Sequence, residues 1–297
     1  MADNAEKKDL MFSSISDKYV REFYDSLLIK PRFIGSGAAD TQAEFFGKKY
    51  ATPIMIAPFT GSPVWAQAAK KAGTLFWTAH LREEDTETVR ETVDFVATSK
   101  PVNDSELIIG RIRRAEADGA GAFFIDIDHL FTPKTGGWYV GLDGRPMGVQ
   151  TAEMLKRYAE CSSLPIILKG VLDEEDAVAA KEAGIAAVVA SHHHGMVLYS
   201  IPPAMAVENI RRAVGPDYTV LVDCGIESGI DAFKALALGA DGVLVCRHLL
   251  PYFAEGGAEA VANRLEEMRR ELAAYMSMTG AATLDEIRAD CLVRKCF

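Results

Sequence analysis

The sequence predicts a closed (β/α)8 barrel, and three observations carry that prediction. Eight short apolar runs are strand candidates: Pro53–Pro58, Leu75–Ala79, Phe95–Thr98, Ala122–Asp128, Pro165–Lys169, Ala187–Ser191, Thr219–Asp223 and Gly242–Cys246. Most are continuous rather than alternating, as expected of strands buried on both faces. Helical patterns lie between most of them, which makes the sheet parallel and favours a closed barrel over an open doubly wound sheet. The 297 residues suffice for a single domain, because a barrel of about 250 residues uses nearly all of them. Residues 1–50 are expected to be an extension whose helices pack on the barrel base. Residues 51–255 would form the core, and 256–297 a set of C-terminal helices.

The helices announce themselves by their ends. After the first strand, Ser62 is placed to cap, Pro63 to open the helix and Gly73 to stop it. After the third, a helix spans Asn103–Asp118 and closes at Gly119. After the fifth, Asp173 caps a segment whose first turn is acidic, which suits the helix dipole. After the seventh, Ser228 caps and Gly239 ends the pattern. An amphipathic helix over Glu259–Tyr275 and a shorter one near Thr283–Ala289 complete the chain. The Gly-rich insert Phe131–Val149 sits on the functional rim, where loops of that length often act as lids.

A formal net charge of -10 argues against a nucleic-acid surface and leaves a small molecule as the expected partner. No run reaches the roughly 18 apolar residues of a membrane span, and the charged N-terminus has no apolar signal core. Cys161, Cys224, Cys246, Cys291 and Cys296 show no CxxC spacing, so reduced thiols in a cytoplasmic protein are expected, with no zinc site.

In such a barrel the strand C-termini form the working rim, and four of them end in reactive groups. Lys169 closes an otherwise apolar strand. It is read as a cation facing an anion or cofactor, or as a Schiff-base nucleophile, against the alternative of a salt bridge to an acid such as Asp223. His192, His193 and His194 follow the sixth strand. In an extended segment neighbours point to opposite sides, so the triplet reads as one general base rather than a metal tract. Gly225, Gly229, Gly242 and Arg247 form a candidate phosphate cradle, since the loops after strands seven and eight commonly bind phosphate. Asp126 and Asp128 share a face, as an acid pair, a cation site or ordinary structural partners.

These motifs resemble the FMN-dependent α-hydroxy-acid oxidase/dehydrogenase family, from about Lys30 to Ile287. KPRFIG and FFGKKYATPIMIAP are similar to the family's entry into strand one, and PIILKG to its strand five. SHHHG falls on the family's SNHGG, and DCGIESGIDAFKALALGADGVLVCR on its DGG-x-RRG…DVFKALALGA-x-GV-x-x-GR. The resemblance implies FMN as cofactor, a homotetramer and a cytoplasmic enzyme. It implies His193 as catalytic base, Asp223 as the group that orients it, and Lys169 as the charge beside flavin N1 and O2. Ser191, Gly225 and Arg247 would hold the phosphate, with Cys246 beside them, and Ala57, Pro58, Thr78 and Ala79 would touch the ring.

The departures from the family bear on substrate. The family's carboxylate-clamping arginine falls on Met196, which offers no bidentate contact. Its strand-three Gln and Tyr fall on Val96 and Thr98, its strand-four Thr on Asp126, and a phosphate-side arginine on Glu227. Tyr24 is a poor match to its substrate tyrosine. Arg21, Arg82 or Arg145 could replace the clamp, and His80 could polarise the substrate. The expected function is FMN-dependent oxidation of a hydroxy-acid-like molecule with an altered clamp. A flavin-free lyase or isomerase using Lys169 or His193 would instead be colourless. A non-catalytic FMN-binding protein would be indifferent to loss of His193.

Overall fold

The computed structural model describes residues 14–59, 62–79, 83–128, 130–132, 137–141 and 144–295. Eight parallel strands close into a barrel. They are β1 (Ile54–Phe59), β2 (Phe76–Thr78), β3 (Phe95–Ser99), β4 (Ala122–Asp126), β5 (Ile166–Lys169), β6 (Ala187–Ala190), β7 (Thr219–Val222) and β8 (Gly242–Val245). Closure comes from β8 pairing with β1, with Val245 opposite Ile56. All eight expected strands are present, each shorter than its apolar run by a residue or two.

Alternation along each strand sorts the side chains. Ile54, Ile56, Phe123, Ile125, Val188 and Val243 face the helices. Met55, Ala57, Trp77, Val96, Phe124, Ile167, Val189, Leu221 and Leu244 fill the barrel interior. The same parity, carried to the strand ends, points Asp126, Lys169, Ser191, Asp223 and Cys246 inward at the upper mouth. An apolar floor therefore lies under a polar rim.

The outer layer comprises α1 (Ile15–Ser26), α2 (Ser62–Ala72), α3 (Glu83–Thr92), α4 (Ser105–Ala117), α5 (Ala152–Glu160), α6 (Glu174–Glu182), α7 (Pro203–Val214), α8 (Gly229–Ala237) and α9 (Leu250–Thr279). Asp173 and Ser228 cap α6 and α8 as expected, each side chain accepting a backbone N–H of the first turn. α4 starts later than the sequence suggested, because Asp104 takes the N-cap. α9 is longer than expected and is broken at Gly256–Gly257, where the backbone leaves helical geometry. The expected helix near Thr283–Ala289 is replaced by two 3-10 turns, Leu284–Glu286 and Ala289–Cys291, because Ile287 is extended between them. Trp65 on α2 stacks between Phe59 and Phe253, with centroids 4.5 and 4.4 Å away, and ties β1 and α9 together.

The N-terminal extension departs from expectation. α1 lies on the rim, not on the base. Ser16 donates to the carbonyl of Val197 after β6, and Arg21 forms a bidentate pair with Asp231 after β7. A Cβ at Gly225 would lie 2.2 Å from Val20 Cγ1, so a larger residue there would push the helix off. The base is closed by an antiparallel hairpin, Ala43–Phe45 with Lys48–Tyr50, whose Phe45 joins the barrel interior. Capping the base with two short strands leaves α1 to shape the working face.

Candidate active site

Lys169 is the centre of the rim. Its side chain is 4% exposed, and its Nζ lies 3.4 Å from Asp126 Oδ1, 3.2 Å from Asp223 Oδ2 and 3.9 Å from Asp128 Oδ2. Burial disfavours the ammonium, but the Asp126, Asp223 and Asp128 carboxylates outweigh it and hold the lysine pKa well above its usual value. Asp223 is likewise held below the usual carboxylate range: burial opposes this, and Lys169 prevails.

His193 joins the same cluster. Its Nδ1 is 3.3 Å from both Asp126 Oδ1 and Asp128 Oδ1, and 3.3 Å from Lys169 Nζ. Burial and the ammonium press the imidazole toward neutrality; the two carboxylates prevail and raise its pKa. The carboxylates against His193 are thus Asp126 and Asp128. The expected partner, Asp223, instead faces Lys169, because β5 stands between β4 and β6 and lets the lysine reach across the barrel.

The triplet does not continue the strand. His193 and His194 take φ of +49° and +53°, a left-handed turn that non-glycine residues adopt at some cost. The extended geometry assumed from sequence therefore fails, and the three rings go to three places. His192 is fully buried, its Nδ1 accepting the Gly195 N–H. His193 enters the Lys169 cluster. His194 Nδ1 lies 2.7 Å from Arg247 Nη2.

Two adjoining cavities open here. A small one, about 110 Å³, is lined by Ala57, Pro58, Ala79, Thr98, Lys100, Phe124, Asp126, Lys169, His193, His194, Asp223 and Cys246. A larger one, about 560 Å³, is lined among others by Asp17, Arg21, His194, Gly225, Glu227, Cys246 and Arg247. His194 and Cys246 belong to both walls. Burial pushes the Cys246 thiol up to about 12, so it stays neutral there.

Of the expected residues, Ala57, Pro58, Ala79, Lys169, Asp223 and Cys246 gather in the small cavity, and Gly225 and Arg247 in the large one. Thr78 is fully buried, its hydroxyl donating to the carbonyl of Val96. Ser191 accepts from Lys169 Nζ at 2.9 Å and from the His193 N–H at 3.1 Å; its place is beside the lysine rather than in a phosphate cradle. Gly242 starts β8, so it lies at the base against Phe45, not in the cradle. Gly229 is a packing glycine, where a Cβ would meet the Met268 carbonyl at 2.0 Å. Glu227 turns toward Arg21, 3.9 Å away, with its side chain 55% exposed. Arg21 itself is bound to Asp231 and Asp25. His80, Arg82 and Cys296 lie outside the described residues.

Three participants escaped the sequence reading. Lys100 pairs with Asp126 at the cavity mouth; the Val96–Thr98–Lys100 alternation was the available signal. Asp17, 2.8 Å from Arg247, and His194 gave none, since both depend on where α1 docks. Among the described residues, Asp126, Asp128 and His193 have donor atoms within 4.8 Å of one another, the spacing of a metal site. The Lys169 ammonium already supplies that cluster with a cation.

The residues present also suit a phosphate-bearing aromatic cofactor. The larger cavity lies within the range of small-molecule sites, about 300–1,000 Å³, and cations stand at both ends of the pair. Arg247 can only donate to His194 Nδ1, so the ring hydrogen lies on Nε2, and that buried donor has no hydrogen-bond partner among the described residues. An orphaned donor in the wall shared by both cavities is suited to an anionic or hydroxylated ligand.

A barrel with such a rim belongs to the class of FMN-dependent barrel oxidoreductases, and comparison with known proteins supports the assignment. The FMN-dependent dehydrogenase family profile matches residues 13–136 and 145–294, and the chain belongs to that family. Glycolate oxidase 1 of Oryza sativa subsp. indica is 29% identical, over 90% of this chain and 84% of the relative. L-lactate oxidase of Alicycliphilus denitrificans is 44% identical over 134 residues, 45% of this chain and 37% of the relative. A mandelate oxidase variant with a monooxide FMN adduct superposes with a TM-score of 0.84 at 26% identity, covering 98% of this chain and 96% of that one. FMN is accordingly the cofactor. No helix among the described residues is long and apolar enough to cross a membrane.

Proposed function

We propose that the protein oxidises a small 2-hydroxy acid to the 2-oxo acid, with His193 as general base. The observation that carries this reading is the placement of His193 Nδ1 against two carboxylates, in the wall of the cavity that also holds Lys169. With Nδ1–H donated to Asp126 or Asp128, the lone pair lies on Nε2, the atom that takes the substrate hydroxyl proton. The same carboxylates stabilise the imidazolium that results.

Bound FMN supplies a two-electron acceptor for the hydrogen at the carbinol carbon. Lys169, Ala57, Pro58, Ala79 and Thr98 would hold its ring side; Arg247, Gly225 and His194 would hold its phosphate. Lys169 acts as a fixed positive charge. An amine whose pKa is raised by three carboxylates is a poor nucleophile near neutral pH, which argues against a Schiff-base mechanism.

The test is anaerobic addition of short 2-hydroxy acids to the FMN-loaded protein. Bleaching of the oxidised flavin spectrum with formation of the 2-oxo acid is expected; an unchanged spectrum across the series refutes the proposal.

pH dependence follows from His193. The base must be neutral, so activity should fall as pH drops through a pKa above the ordinary histidine value. Asp128→Asn removes one carboxylate that raises this pKa, and the acid limb of kcat/KM should move down by on the order of one pH unit. A limb that stays in place would assign the titration to another group.

Asp17 contests the phosphate side. Burial opposes its ionisation, but contacts with His194 and Arg247 hold its carboxyl well below the usual range, so it is an anion beside Arg247. Asp17→Asn should tighten FMN binding by roughly tenfold, about the worth of one charge-assisted contact. Fluorescence titration of the apoprotein measures it, and weaker binding would show that Asp17 orders Arg247 rather than competing for it.

A further inference from the structure

The substrate carboxylate needs a cation, and Met196 stands where the family carries its clamping arginine. The candidates divide cleanly. Arg21 lies in the other cavity, bound bidentately to Asp231. Arg145 does not line the small cavity. Lys169 is enclosed by three carboxylates and is 4% exposed. Among the described residues that leaves Lys100, the second lysine in the small cavity wall.

Lys100 has the placement this role needs. It follows β3 by one residue, and its parity with Val96 and Thr98 aims it over the mouth rather than at the helices. Its side chain is 38% exposed, whereas that of its partner Asp126 is 4% exposed. The buried end of the pair is thus fixed, and the exposed end faces incoming ligand. Asp126 also approaches Lys169 and His193 through its other oxygen, so one carboxylate fixes the geometry of all three cationic or basic groups.

We infer that Lys100 is the substrate-binding cation of this site, taking the substrate carboxylate in place of the missing arginine. An ammonium carries three donors and can be shared between Asp126 and a ligand. It is a point charge without the fork of a guanidinium, so the carboxylate is attracted but less strictly oriented. The inference rests on the hydroxy-acid reading above and deepens it by naming the group that selects a carboxylate.

The test separates the two. Oxalate, a dicarboxylate that offers no carbinol hydrogen, is titrated by calorimetry into the wild-type protein as purified, and into Lys100→Met and Lys100→Arg. Expected are measurable binding by wild type, a loss of about 10–100-fold in Lys100→Met, as for a contact to a charged group, and near wild-type affinity in Lys100→Arg. No heat with wild type, or equal affinity in Lys100→Met, overturns the inference. Lys100-dependent oxalate binding with no flavin bleaching by any hydroxy acid would uphold the carboxylate site and refute the oxidation reading instead.

Discussion

His193→Ala should lower kcat for the hydroxy-acid substrate by about 10²–10⁴-fold, the usual worth of a positioned general base. FMN content should stay at the wild-type level, because the residues proposed to hold the phosphate lie in the other cavity. The residual rate should also lose the acid limb attributed to this imidazole. His193→Gln, which fills similar space without titrating, should behave like the alanine variant; rescue by glutamine would assign His193 a positioning role. Full activity in both variants would remove the base from the mechanism and favour a protein that binds FMN without this chemistry.

Lys169→Met should have the largest effect on stability. It leaves Asp126, Asp128 and Asp223 around a methionine, all three with side chains 4% exposed. Removing one partner of a buried ion cluster costs about 3–5 kcal/mol, because the remaining charges stay desolvated and repel. At about 2–4 °C per kcal/mol for a large domain, the melting temperature at pH 7 should fall by roughly 6–15 °C.

The sign with pH follows from the carboxylates. In the wild-type protein the Asp126 and Asp223 pKa values are depressed, with burial opposing and Lys169 prevailing. Their stabilisation is present above the unfolded pKa and is lost as pH falls through the folded one. In Lys169→Met the cation is gone and burial raises these values, so protonation on acidification relieves the repulsion. The deficit relative to wild type should therefore shrink between pH 7 and pH 5. Equal melting temperatures at pH 7 would show that the cluster is more hydrated than the structure implies.

The two variants probe different links. His193 is 32% exposed in a strained left-handed turn, and its loss is expected to register in rate. Lys169 is enclosed, and its loss should register in folding before it registers in chemistry. A stability deficit in His193→Ala equal to that of Lys169→Met would mean the histidine mainly packs the rim.

The amino-acid sequence by itself determined the barrel. Eight apolar runs with helix caps between them leave few ways to bury both strand faces, and all eight strands formed where those runs lie. It also determined the rim, since Lys169, Asp126 and Asp223 end strands whose alternation turns them inward. The SHHHG and FKALALGA motifs carried the family. What only the tertiary structure decided were contacts between segments far apart in the chain. No local pattern places α1 on the rim rather than the base, so the pairing of Asp17 with Arg247 and the burial of His194 were not legible. The histidine turn was misread because its left-handed backbone is imposed by the close approach of Ser14 and Ser16 to Gly195, where a Cβ would lie 1.9 Å from Ser14 Oγ. Gly242 read as a cradle residue because sequence spacing does not reveal which end of a strand a glycine occupies. His193's choice of Asp126 and Asp128 over Asp223 has the same origin: three inward carboxylates of equal chemistry compete for one ring, and only the order and register of β4, β5, β6 and β7 settle which lie within reach.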